Sequence, residues 1–290
     1  MCQWGRAECV TAVLVRGSAG TTGTVPMGGD LDLLVAVSDA EASKQFAELR
    51  VSGVPVEIFP CEESSLTDVE DILRHPSLPF ELVHNIHLLD AHGVLARARR
   101  EIHPRLFESR FVMARTTAGR EAASESLRKA DARLKDRDAE TAARELTLAL
   151  WHGAAAAAAA AHRRPTTRRC LALWAETLRR QDRLEELSRL EEAAGAEVPA
   201  GVRADLVERL ATADDRVGGA VRGMVLAGEA RWVVFPLLRS ALWASMSGRH
   251  TDDTPAAVLE AMDWGPGSLQ QRVDAATLLV RRLADLHPLL

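Results

Sequence analysis

Short apolar stretches alternate with polar turns at the start of the chain, and this pattern predicts a small β-sheet. One apolar strand is predicted over residues 13–15 and a second over residues 31–37, separated by a polar turn and loop. The segment VPVEIFP at 54–60 places apolar side chains at every second position, which is typical of a half-buried strand.

Capping residues and periodicity predict further elements in this first part of the chain. A serine or threonine three residues before a glutamate predicts the start of a helix at two places. The predicted elements are a helix from Ser38 to about Leu49, a helix after the Thr67–Glu70 capping box, a strand over 83–90 and a helix over 93–102.

From Arg110 onward the pattern becomes helical. The sequence there lacks strand alternation and is rich in Ala, Leu, Arg and Glu. The predicted helices cover 107–135, 138–162, 167–181, 200–213, 216–247 and 267–286. We therefore predict an α+β protein, with a small mixed β-sheet domain over 1–105 followed by an α-helical bundle domain over 106–290.

Composition and charge narrow the class of protein. A chain of 290 residues, 47% of them apolar, can fill two modest cores. No segment has the roughly 18 uninterrupted apolar residues of a membrane span, and the start lacks a basic-then-apolar signal, so we expect a cytoplasmic protein. The formal net charge of −5 disfavours a nucleic-acid partner.

Two compositional details concern origin and redox state. Arginine greatly outnumbers lysine and long alanine runs occur, which indicates a GC-rich bacterial genome. The four cysteines, Cys2, Cys9, Cys61 and Cys170, show no paired spacing, so we expect reduced thiols.

The strongest candidate for chemistry is a pair of aspartates at the start of the second strand. Asp30 and Asp32 project to the same face, because side chains two residues apart on a strand point the same way. Two carboxylates this close repel each other unless a cation lies between them, and hard oxygen ligands suit Mg²⁺ or Mn²⁺. If the strand of Glu57 lies beside them, three carboxylates share one face, as in sites where two divalent ions support phosphoryl or nucleotidyl transfer.

A Gly-Ser pair after the first strand is a candidate phosphate-binding turn. Gly17 has no Cβ and Ser18 has a small side chain, so the backbone can approach a triphosphate and present N–H groups to it. The G-K-[ST] ending of a Walker-type loop does not follow this pair. The Gly-Ser turn therefore indicates a phosphate site only in combination with the nearby carboxylates.

Together these residues resemble the DNA polymerase beta-like nucleotidyltransferase superfamily. Its pattern is an apolar residue, Gly-Ser, a dozen or so residues, Asp-apolar-Asp and a later strand carboxylate. The matching positions are Gly17, Ser18, Asp30, Asp32 and Glu57. The resemblance covers roughly the first hundred residues. The spacing and the helical tail look most like the small-molecule branch that includes the aminoglycoside nucleotidyltransferases.

The resemblance implies a reaction and a role for each matched residue. Asp30 and Asp32 would bridge two Mg²⁺ ions, and Glu57 would bind the ion that activates the acceptor. Gly17 and Ser18 would hold the β- and γ-phosphates of a nucleoside triphosphate. A nucleoside monophosphate, AMP from ATP, would pass to a hydroxyl of a small molecule such as an aminoglycoside, which is a route to antibiotic resistance, and pyrophosphate would leave.

The chain departs from the superfamily pattern at two places. Many relatives carry an arginine shortly after Gly-Ser and a serine before the first aspartate, whereas residues 19–22 here contain no arginine and Gly29 precedes Asp30. The candidates for neutralising the triphosphate are therefore Arg16 and Lys44.

The helical part is expected to bind the acceptor, across a cleft from the sheet. The segment AARELTLALWHG resembles the helix that supplies the general base in kanamycin-modifying relatives, which makes Glu145 the candidate base. The alternative for Glu145 is an ordinary solvated helix position. Whether a homodimer completes the cleft stays open.

Three other functions remain open at this point. The same chemistry could act on a protein or tRNA acceptor, as in toxin-antitoxin pairs, although such relatives are often much shorter. The same fold could serve natural-product biosynthesis. A non-catalytic module that keeps the fold and binds nucleotide without turnover is the alternative from a different class.

Overall fold

A computed structural model of the protein describes residues 9–24, 30–38, 47–166, 169–196 and 264–286, together with residues 232, 235 and 259. The chain divides into two compact units, Met1–Ala114 and Arg115–Leu290. The first unit carries a mixed β-sheet with short helices, and the described part of the second is helical. The predicted fold class, a small mixed sheet followed by helices, is confirmed.

The sheet of the first unit has five described strands in the order β3-β4-β2-β1-β5. Strands β2 and β4 run parallel, and the other neighbouring pairs are antiparallel. The strands are β1 (Val10–Val15), β2 (Leu31–Val37), β3 (Ala47–Val51), β4 (Val54–Glu62) and β5 (His87–Asp90). The parallel pairing of β2 and β4 aligns the starts of these two neighbouring strands, where the predicted carboxylates lie.

Strand β3 corrects one prediction. The helix expected from Ser38 to about Leu49 is wrong at its end, because residues 47–51 form a strand that pairs with β4; residues 39–46 lie outside the described part. Ser52 and Gly53, with φ of 52° and 83°, connect the two strands. A two-residue turn with positive φ at both positions matches the twist of a hairpin, which makes the β3–β4 pairing local and favourable.

Four described helices belong to the first unit, and three predictions about them need correction. The helices are α1 (Gly17–Thr22), α2 (Val69–Arg74), α3 (Leu78–His84) and α4 (Val94–Ile102). The predicted Gly-Ser turn is the start of α1, and the strand predicted over 83–90 begins only at His87. Helix α2 is capped by Asp68, whose side chain accepts a hydrogen bond from the backbone N–H of Asp71, rather than by Thr67.

One face of the sheet packs against these helices. Leu14 of β1 and Ala36 of β2 are buried in one cluster with Phe80, Leu82 and Leu95 of α3 and α4. Alternation along β2 places Asp32 on the same face as Ala36, nearer the start of the strand. The carboxylate cluster therefore lies on the helix-covered face, at the end where the strands begin.

Five described helices belong to the second unit or lead into it. They are α5 (Ser109–Lys135), α6 (Ala139–Ala160), α7 (Cys170–Arg180), α8 (Leu184–Ala194) and α9 (Pro266–Arg281). Helix α8 was not among the predicted helices. The predicted helix over 200–213 and all but residues 232 and 235 of the one over 216–247 lie outside the described part.

The alanine-rich stretch of α6 forms part of the second core. Residues 154–160 are buried there, and Gly153 lies so close to the buried indole of Trp174 that a Cβ would be 2.8 Å from it. Small side chains let helices approach closely, so these alanines suit the packing of α6 in this core. Within the described residues, no helix combines the length and the apolar character that crossing a membrane requires.

Candidate metal and nucleotide site

Three carboxylates meet near the start of the neighbouring strands β2 and β4. Asp32 and Glu57 are register partners in the parallel β2–β4 pair, so their side chains share one face of the sheet. One carboxylate oxygen from each of Asp30, Asp32 and Glu57 lies within 4.8 Å of the other two. All three residues are half-buried. The prediction that the strand of Glu57 lies beside the aspartate strand is confirmed.

The chemistry of this donor set fits a hard divalent cation. Three carboxylates held this close, and partly withdrawn from water, repel one another unless positive charge is shared between them. Mg²⁺ and Mn²⁺ prefer oxygen ligands, and Mg²⁺ is usually held by one or two carboxylates plus water and phosphate oxygens. The group Asp30, Asp32 and Glu57 would hold such an ion.

Gly17 brings the start of α1 against the carboxylates. Its φ is +61°, a conformation that costs little only for glycine, and an added Cβ would lie 3.1 Å from Oδ2 of Asp32. The backbone N–H of Arg16 donates to the carbonyl oxygen of Asp32 at 2.7 Å, which extends the β1–β2 pairing by one step. Ser18 is the second residue of α1. The Gly-Ser pair and the carboxylates are therefore adjacent.

Gly20 fixes α1 against the rest of the first unit. A Cβ at Gly20 would lie 2.1 Å from the carbonyl oxygen of Val15 and 2.8 Å from the side chain of Asn85. The Gly20 carbonyl accepts a hydrogen bond from the N–H of Ile86 at 3.0 Å. These contacts tie α1 both to the end of β1 and to the connection between α3 and β5.

Arg16 lies beside the carboxylates and is held by an ion pair. Its Nε donates to Oε2 of Glu81 at 2.6 Å, and its Nη2 donates to Oε1 at 3.0 Å. Burial acts to lower the pKa of Arg16, but the hydrogen bonds and charge of Glu81, with a further contribution from Asp32, raise that pKa above its usual value. Arg16 therefore keeps its positive charge next to the carboxylate cluster.

Lys44 and Glu145 are the two remaining predicted site residues. Lys44 falls outside the described residues. Glu145 lies on α6 in the second unit, with 13% of its side chain exposed, and its Oε1 is 3.7 Å from Nη2 of Arg144. Its assignment as a general base stays a prediction.

Comparisons with known proteins add little to this geometry. No protein-family model matches the chain, and no curated protein matches it. Among solved structures, a nucleotidyltransferase-like protein from Exiguobacterium sibiricum aligns with 92% of this chain and 86% of its own, at 12% identity and a TM-score of 0.38. A likeness at this level does not support a functional assignment.

The contact between Gly17 and Asp32 leads to a testable prediction about metal affinity. In Gly17→Ala, the new Cβ is expected to displace the Asp32 carboxylate. The affinity for Mn²⁺ should then fall by about tenfold, as is typical when residues that orient metal ligands are changed. Calorimetric titration with Mn²⁺ measures this directly.

Gly93→Ala is the matched control. Gly93 also has a positive φ, +68°, but a Cβ there would meet nothing within 4 Å. The control carries the same kind of backbone strain, about 1 kcal/mol, without touching a carboxylate. Equal Mn²⁺ affinities in the two variants would show that Gly17 does not determine how Asp32 is placed.

Proposed function

We propose that this protein is a Mg²⁺-dependent nucleotidyltransferase that transfers a nucleoside monophosphate, AMP from ATP, to a hydroxyl group of a small molecule and releases pyrophosphate. The observation that supports this most is the cluster of Asp30, Asp32 and Glu57 beside the start of α1. Carboxylates alone would suggest only a cation site. The start of α1, where Gly17 has a positive φ, lies next to them and offers a place for phosphate groups.

In this proposal the three carboxylates hold two divalent cations. When bound, such ions neutralise the triphosphate and make the acceptor hydroxyl a better nucleophile. Asp30, Asp32 and Glu57 would hold these ions, and the ion held by Glu57 would activate the acceptor hydroxyl. Because Gly17 has no Cβ, the Asp32 carboxylate has room to lie against the start of α1.

The phosphates are assigned to the start of α1. Gly17 has no Cβ and Ser18 is small, so the backbone there can approach a triphosphate and present N–H groups, and these two residues are proposed to contact the β- and γ-phosphates. In the transfer, the acceptor oxygen forms a bond to the α-phosphorus while the bond from that phosphorus to the bridging oxygen breaks. The acceptor proton passes to a base, for which Glu145 is the candidate from the sequence.

A small hydroxylated molecule, with an aminoglycoside as the first example, follows from the resemblance to the small-molecule branch. The net charge of −5 gives no general attraction for nucleic acid, which is consistent with a small acceptor.

The test is pyrophosphate release from each of four ribonucleoside triphosphates with Mg²⁺, over a panel of aminoglycosides and other hydroxylated small molecules. We expect release that depends on one acceptor class and is lost in Asp32→Asn. Binding of Mg²⁺-nucleotide without release on any panel member would contradict the small-molecule acceptor and favour a macromolecular or biosynthetic one. Absence of Mg²⁺-nucleotide binding would contradict nucleotidyl transfer altogether.

A further inference from the structure

Glu81 is a buried carboxylate on the apolar helix α3. It lies on α3 among apolar residues, with 8% of its surface exposed. Buried carboxylates are costly unless they are paired, and Glu81 is paired with Arg16 through both oxygens. A planar guanidinium held at two points has a fixed orientation, unlike one held by a single contact.

The aromatic ring of Phe59 adds a third point of contact. The guanidinium carbon of Arg16 lies 4.9 Å from the centroid of this ring. Phe59 is two residues after Glu57 on β4, so both side chains are on the same face of the sheet. The guanidinium therefore lies on the face of the carboxylate cluster, with Glu81 and Phe59 contacting it.

The remaining edge of the guanidinium is available to a ligand. Both bonds to Glu81 use Nε and Nη2, and within the described residues Nη1 makes no hydrogen bond. The Arg16 side chain is 27% exposed. An arginine that is charged, fixed in orientation and exposed on one side is suited to bind a phosphate oxygen.

We propose that Glu81 is a positioning residue that holds the Arg16 guanidinium at the edge of the carboxylate cluster, where Nη1 binds a phosphate oxygen of the nucleoside triphosphate. This inference rests on the proposed function. Arg16 then neutralises the triphosphate, which many relatives of the superfamily do with an arginine after Gly-Ser. Glu81 touches neither the nucleotide nor the cations, and it acts through Arg16.

The test compares the affinities for ATP and AMP, each with Mg²⁺, by calorimetry. Arg16→Gln is expected to weaken ATP binding by about tenfold and to leave AMP binding within about twofold, because the lost contact is to a phosphate that AMP lacks. Glu81→Gln is expected to weaken ATP binding by several-fold with the same selectivity. Because Glu81 acts through Arg16, the double variant should bind ATP no more weakly than Arg16→Gln alone.

Two further variants keep this test decisive. Glu81→Asp keeps the charge but withdraws the carboxylate by one methylene, so a roughly threefold loss of ATP affinity is expected even if Glu81→Gln proves too unstable to measure. Glu70→Gln, on α2, removes a carboxylate that pairs with Arg105 in the same unit and should leave the ATP-to-AMP ratio unchanged.

The outcomes separate this inference from the proposed function. Wild-type protein that binds no Mg²⁺-ATP overturns both. Wild-type protein that binds Mg²⁺-ATP, with Glu81→Gln and Glu81→Asp unchanged, overturns only the positioning role. The positioning role is also overturned if the Glu81 variants lose ATP and AMP affinity equally, or if the losses in the double variant are additive. A merely structural role of Glu81 would give those results.

Discussion

Replacing Asp32 by asparagine is expected to lower kcat/KM for nucleotidyl transfer by about 10³-fold or more, equivalent to roughly 4 kcal/mol of transition-state stabilisation. The substitution keeps the size of the side chain and removes one charge from the carboxylate cluster, where one oxygen of each residue lies within 4.8 Å of the others. An amide is a weaker ligand for Mg²⁺ than a carboxylate, so cation and triphosphate would both be held less well. Pyrophosphate release at saturating acceptor measures the loss.

The matched control for this prediction is Asp71→Asn. Asp71 lies on α2 in the same unit and is exposed, so the same chemical change is made away from the cluster. We expect its kcat/KM to stay within about twofold of the wild type. If kcat/KM of Asp32→Asn equalled that of Asp71→Asn, Asp32 would have no role in the reaction. In that case the carboxylate cluster would no longer support the proposed function.

The carboxylate face could be predicted because it depends on local periodicity. The positions of Asp30 and Asp32 follow from strand alternation alone. Glu57 needed one further condition, that its strand lies beside theirs, and the register pair Asp32–Glu57 meets it. The hydrophobic pattern of both segments favoured this pairing, because both are strands of one sheet with buried apolar side chains.

Local signals failed where tertiary contacts or competing turns decide the structure. Helix α1 reads GSAGTT, a composition that disfavours helix, and its packing at Gly20 against Val15 and Asn85 is not visible in the sequence. The predicted helix before β4 overlooked the Ser52–Gly53 hairpin turn, a signal that was present between two apolar runs. The helix α3 was missed because LPFELVH is apolar enough to suit either a strand or a helix.

The Arg16–Glu81 pair shows a different limit. The two residues are 65 positions apart, and no spacing rule connects them. Arg16 was a candidate because it adjoins the Gly-Ser pair, whereas Glu81 lies in an apolar helix that suggests only packing. A buried carboxylate becomes informative only once its partner is known.

Gly20→Ala is expected to destabilise the first unit by about 3 kcal/mol, the largest effect on stability that we expect from one added methyl group here. The new Cβ would lie 2.1 Å from the carbonyl oxygen of Val15, a backbone atom that cannot move without disturbing β1. The side chain of Asn85 closes the other direction at 2.8 Å. Calorimetric unfolding should show the transition of the first unit lowered by roughly 10 °C or more, with Mn²⁺ binding weakened because α1 carries Gly17.

Gly267→Ala provides the comparison for this change. Gly267 also lies near the start of a helix, α9, but a Cβ there would meet nothing within 4 Å. Alanine is the better helix former, so this variant should be unchanged or more stable by up to about 1 kcal/mol. If Gly20→Ala were as stable to unfolding as Gly267→Ala, α1 would not lie close to β1. The placement of Gly17 beside Asp32 would then lose its support, because that placement depends on where α1 begins.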